Sequence, residues 1–163
     1  MPLDHEIKIY RFLQTYGEDL IEGLDDEQAF TSHTEGGNHP AWIIGHLAVV
    51  GSHGVKMLGG NPAIDTDAWQ PMFGGGSQPA ARAEGYPAWD ELVSVWKETH
   101  DLAASAAGAV TAEVLEQPNP IARRRKALPT LGSFVGFMFT GHEGVHLGQL
   151  SAWRRANGKP PLF

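Results

Sequence analysis

The chain has 163 residues, a formal net charge of −7, 42% hydrophobic residues and 19% charged residues. That is enough apolar side chain for one core, which excludes a disordered chain, and the size suits a single domain over residues 1–163. The acidic balance disfavours phosphate backbones and anionic lipid surfaces, so neither nucleic acid nor a membrane is expected as a partner; the absence of cysteine excludes disulfides, thiolate ligands and a cysteine nucleophile.

From Asp4 to Leu24 the apolar residues Ile7, Ile9, Leu13, Leu20 and Leu24 recur at helical spacing, which predicts a first amphipathic helix. The polar stretch Asp25 to Gly37 reads as a connection with a single turn of its own. A second helix is expected to start where Asn38 or His39 caps ahead of Pro40, to run through an apolar stretch to Met57-Leu58, and to stop at Gly59-Gly60. Residues 61–85 hold so many prolines and glycines that they read as a crossover without regular structure, and Trp69, Met72 and Phe73 are bulk that can cover a pocket mouth. Tyr86-Pro87 opens a third helix with Trp89, Leu92, Val93, Val95, Trp96, Thr99 and Ala103 inward, fading near Gly108. A short turn follows over Thr111 to Leu115. Thr130 then caps a last helix that continues to Asn157, with Gly158 as its stop.

No alternating strand pattern is sustained. The expected fold is therefore all-α, a four-helix bundle running up-down-down-up with its long crossover between helices 2 and 3. The charged N-terminus and the lack of a bilayer-length apolar run point to a cytoplasmic protein. Exposed aromatics and paired helices suit a homodimer.

Eight histidines are many for so few charged residues. His142 and His146, four apart on the last helix, lie on one face about 6 Å apart and can aim ring nitrogens at one ion. The zincin reading of His142-Glu143-x-x-His146 fails because no Asp, Glu or His follows Leu147 to serve as third ligand. A di-iron site fails as well, since no second His has a carboxylate three residues before it. The alternative is two polar core histidines bonded to backbone or water; a third ligand, if there is one, comes from upstream, and His46, in the middle of the apolar second helix, is the best placed. His39 and His53 share its face about 10 Å away along the axis, as cleft lining or as capping and surface residues. His5 and His100 have no supporting context. Glu143 is read as a base or outer-shell acceptor, or else as a surface or ion-pairing residue. Gln149 either orients a ligand or packs helices. The run Arg123-Arg124-Arg125-Lys126 is either a solvated loop or an attractor for the carboxylates of an anionic thiol.

The pattern Asn38-His39-Pro40-x-Trp42-x-x-Gly45-His46-Leu47, with His142-Glu143-x-x-His146-x-Gly148-Gln149-Leu150, resembles the DinB superfamily. The resemblance implies an up-down-down-up bundle holding one divalent ion on His46, His142 and His146. Some relatives are thiol transferases or isomerases that use a low-molecular-weight thiol. The expected activity is thus that of a metal-dependent S-transferase or hydrolase acting on a small molecule, with Glu143 and Gln149 as catalytic candidates and an external thiol as co-substrate. A metal-binding or stress-related bundle without turnover is the alternative. Nitrogen ligands favour zinc and also suit nickel or iron.

Overall fold

The computed structural model describes residues 2–62, 64–80, 82 and 85–162, and among them there is no strand. Four long helices form the frame. Helix α1 spans Asp4–Ile21, with Asp4 and Glu6 in the first turn where the helix dipole favours acids. It ends three residues before the expected Leu24, because Gly23 turns at φ +70°, although Leu24 is still buried. A four-residue turn, Asp26–Ala29, follows behind a reciprocal cap between Asp25 and Gln28. Helix α2 spans Pro40–Met57, and the capping side chain is that of His39, whose Nδ1 accepts from the Trp42 amide.

The crossover is more ordered than its breakers suggest. It contains a 3₁₀ turn at Asp67–Trp69 and a helical turn at Gln70–Phe73, which bury Trp69 and Phe73. The reason is Gly45: a Cβ there would meet the Phe73 ring at 2.7 Å, so the glycine is the seat for the aromatic side chain. The close approach at Gly45 is made by this ring. Helix α3 spans Trp89–Ala109, starting two residues beyond Pro87, where the Trp89 amide bonds to Asp26. The expected turn at Ala112–Leu115 is present.

The fourth helix, α4, is capped by Thr130 in a reciprocal arrangement with Ser133 and comes in three parts: Leu131–Phe137, a π-helical turn at Met138–His142, and Glu143–Ala156. The expected single α-helix is thus interrupted. A π turn takes up one extra residue, which rotates everything after it by about 100° relative to a continuous helix.

Cross-helix contacts give the directions. Gly136, Leu147 and Arg154 of α4 meet Glu6, Gly17 and Leu20 of α1 in the same order, so these two are parallel. Gly51 meets Thr99, and Gly60, just past α2, meets Ala106, so α2 and α3 are parallel too. Arg11–Asp101 and Glu18–Lys97 pairs set α3 antiparallel to α1. The bundle is up-down-down-up. Its larger core joins Leu20, Ile43, Leu47, Trp96, Leu147 and Trp153; a smaller one joins Leu3, Tyr10, Val55, Ala103, Val135 and Phe139. Among the described residues no helix is long and apolar enough to cross a membrane.

Candidate metal centre

His46 sits in the middle of α2, 5% exposed, with the Trp42 indole stacked on its ring at 4.9 Å. Its Nδ1–H donates to the Phe73 carbonyl at 2.7 Å, so the crossover turn holds the ring and turns Nε2 toward α4. That carbonyl also fixes the tautomer: with hydrogen on Nδ1, the neutral ring offers a lone pair at Nε2. His146 is set in the same way, its Nδ1–H donating to Gln149 Oε1 at 3.1 Å. The same amide oxygen accepts from Asn38 Nδ2 at 3.0 Å, which ties the cluster to the start of α2.

His142, the last residue of the π turn, completes the group. One ligand nitrogen from each of His46, His142 and His146 lies within 4.8 Å of the others. The Nε2 atoms of His46 and His142 are 3.3 Å apart, too close for two lone pairs without a proton or a cation between them. His142 Nδ1 is buried without a partner among the described residues. Burial pushes the His142 ring down to about 3, helped by its two neighbouring histidines and by Arg124. Burial and His46 bring His146 to about 4 against the partial support of Gln149, and burial lowers His46. All three are neutral near pH 7. Three neutral imidazoles, two locked from behind by oxygen acceptors, have the chemistry of a divalent-cation site.

Beside this group is a carboxylate. Glu143 is 2% exposed, and its Oε1 lies 2.9 Å from Nε2 of His100, which is 1% exposed. His100 is held in turn by Trp96, whose carbonyl accepts from Nδ1 at 3.0 Å and whose indole N–H approaches Nε2 at 3.1 Å. Tyr10 stacks on the same ring at 4.5 Å, and burial, with the Glu143 charge adding, pushes its phenol well above the usual range. Glu143 and Tyr10 both line a cavity of about 230 Å³ that also reaches His46, His53, His142 and Arg124.

The sequence candidates are thus placed. His46, His142 and His146 come together; Glu143 is a buried partner of His100 and lines the cavity; Gln149 is exposed and braces His146 from outside. His39 is a cap, and His53 lines the cavity with Gln70 Nε2 at 2.9 Å from its Nε2. His100 is the residue that sequence reasoning missed. Its signal was its position four after Trp96 and three before Ala103, on the buried stripe of α3.

Residues 11–150 match the model of the DinB superfamily. The chain belongs to the DinB superfamily. Among solved structures it is similar to YfiT from Bacillus subtilis, described as a probable metal-dependent hydrolase with an unusual four-helix bundle topology. The TM-score is 0.67 at 16% identity, over 96% of this chain and 88% of that one, a likeness of fold. No curated protein matches this DinB protein.

Proposed function

We propose that this DinB protein is a metal-dependent enzyme that activates a small nucleophile, an external thiol or water, for S-transfer to or hydrolysis of a small molecule. The observation that carries the proposal is the convergence of three neutral imidazoles, two oriented from behind by Phe73 and Gln149, beside a buried carboxylate. The description of YfiT as a probable metal-dependent hydrolase supports it. His46, His142 and His146 would hold the ion, zinc first, with nickel or iron also suited to nitrogen ligands. When bound, the cation supplies Lewis acidity that makes an incoming thiol or water nucleophilic near neutral pH.

This chain's residues supply the rest. Glu143 receives the proton from the S–H or O–H of the nucleophile, and its sulfur or oxygen then bonds to the electrophilic carbon as the leaving group departs with the bonding electrons. Glu143 Oε1 lies 2.9 Å from His100 Nε2, which leaves the other carboxylate oxygen to take that proton. Tyr10 stays a neutral phenol and, with Val135, Met138 and Phe139, gives the cavity an apolar wall. The external thiol is the natural co-substrate of a chain without cysteine.

Elemental analysis of protein purified without an affinity tag tests the ligand set: wild type carries one equivalent of metal and His142→Ala does not. A His142→Ala protein with its full complement of metal would end the reading. Glu143→Gln separates base from ligand, since it keeps the metal and loses turnover by about 10²–10⁴-fold in a screen of thiols with aromatic halides and activated esters.

A further inference from the structure

We infer that the cavity beside the three histidines accepts a small apolar molecule with one compact anionic group, the anion held by Arg123 and Arg124 and the reacting end directed at His142 and Glu143. This rests on the enzyme reading above and names the substrate class of that site. The walls are apolar over most of their length: Tyr10, Met57, Phe134, Val135, Met138 and Phe139. At about 230 Å³ the space lies below the roughly 300–1,000 Å³ of pockets for drug-sized ligands, so its occupant is small.

The two ends of the cavity differ in charge. Glu143 is fully buried and His46 nearly so, whereas Arg123 and Arg124 are exposed, which places the carboxylate inside and the guanidinium groups at the mouth. In the metal-free protein an anionic group entering first would meet the like charge of Glu143, so the anion is favoured at the outer end beside Arg123 and Arg124.

The basic loop is built to present these side chains. Its centre is Asn119, fully buried, whose Nδ2 donates to the Leu128 carbonyl, whose Oδ1 accepts from the Ile121 amide, and whose amide donates to the Pro129 carbonyl. The three arginines of the loop then divide their work. Arg125 closes the loop by donating from Nε to the Asn119 carbonyl at 2.6 Å. Arg123 and Arg124 make no ion pair among the described residues, and both line the cavity. Arg124 lies over the Phe137 ring at 6.0 Å, which positions its guanidinium group at the head of the π turn. In a chain of net charge −7, two unpaired guanidinium groups at the rim of one apolar cavity are a local reversal of sign.

The test uses octanoate, octan-1-ol and octylammonium, equal in chain and different in charge, titrated by protein NMR into the metal-free protein and again into the zinc-loaded one. Octanoate is expected to bind at least about fivefold more tightly than the other two, with shifts at Phe134, Val135 and Met138. The Arg123→Gln/Arg124→Gln double variant should bind all three alike, while octan-1-ol binds it as it binds wild type. Equal binding of acid and alcohol to wild type, an acid preference that survives in the double variant, or shifts outside the cavity would overturn the inference. Zinc stoichiometry on the same samples separates the two claims. Full zinc without the acid preference sinks the substrate class alone, and the acid preference without zinc binding sinks the metal reading alone.

Discussion

The cap of α2 and the middle of the helix each bury a histidine, seven residues apart, and use them for opposite purposes. His39 has both ring nitrogens occupied: Nδ1 accepts from the Trp42 amide, and Nε2–H donates to the Ala80 carbonyl at 2.9 Å. Nothing remains to bind a ligand, so the ring is a cap that fastens the crossover to the helix start. His46 has one nitrogen occupied by a carbonyl and the other directed at His142. Burial lowers both rings, so burial does not distinguish them. What separates a structural histidine from a chemical one is the count of nitrogens left over after the protein's own acceptors and donors have been served.

The sharpest way to break this comparison is to truncate each ring. His46→Ala should lose stoichiometric metal, and with it the stabilisation of about 4 kcal/mol that zinc at a thousand times its Kd gives the wild type. His39→Ala should keep its metal and lose about 0.5–2 kcal/mol of stability with the cap. Denaturant unfolding with and without zinc, beside elemental analysis, checks both. If the two variants lose metal alike, the division of labour along α2 is wrong.

A smaller effect is expected one layer out. Gln149 does not face the cavity; it holds His146 through Oε1 and shares that oxygen with Asn38. Gln149→Ala should therefore retain one equivalent of metal at saturation and bind it about 10–100-fold more weakly, as loss of an outer acceptor does elsewhere. A competition titration with a chelating dye reads this directly. Unchanged affinity would mean that Gln149 only packs α4 against the start of α2.

How far these features were legible in the chain follows from the range of the interactions behind them. The four helices announce themselves through local signals: helical spacing of apolar residues, the caps at His39 and Thr130, and the stop at Gly59. His142 and His146 are legible because four residues on one helix is a local distance. The pairing with His46 was inferable from its burial, although the atoms meet across 96 residues. What was hidden depends on contacts that no local pattern encodes. The Phe73 carbonyl reaches His46 from 27 residues away, and His100 finds Glu143 across 43. The π turn carries no composition of its own. It is a compromise in which Val135 and Phe139 pack into the smaller core while Leu147 and Leu150 pack into the larger one.

A further test sharpens the comparison through pH. Burial holds His39, His46, His142 and His146 below the ordinary histidine value of 6.5, with His146 at about 4 and His142 at about 3. In the unfolded chain each takes up a proton as pH falls through 6.5, whereas in the folded chain His146 resists down to about 4 and His142 to about 3. Between those limits the unfolded state binds more protons, so stability is full above about pH 6.5 and falls steadily as the pH drops toward 4. The thermal midpoint of the metal-free protein, followed from pH 7.5 to 4.5, should trace this decline. His142→Gln removes the most depressed group and should flatten the curve more than His39→Gln, which leaves the cluster intact. A steeper or unchanged slope in the His142 variant would show that the cluster does not resist protonation, and that the two histidines of α2 differ less than their hydrogen bonds imply.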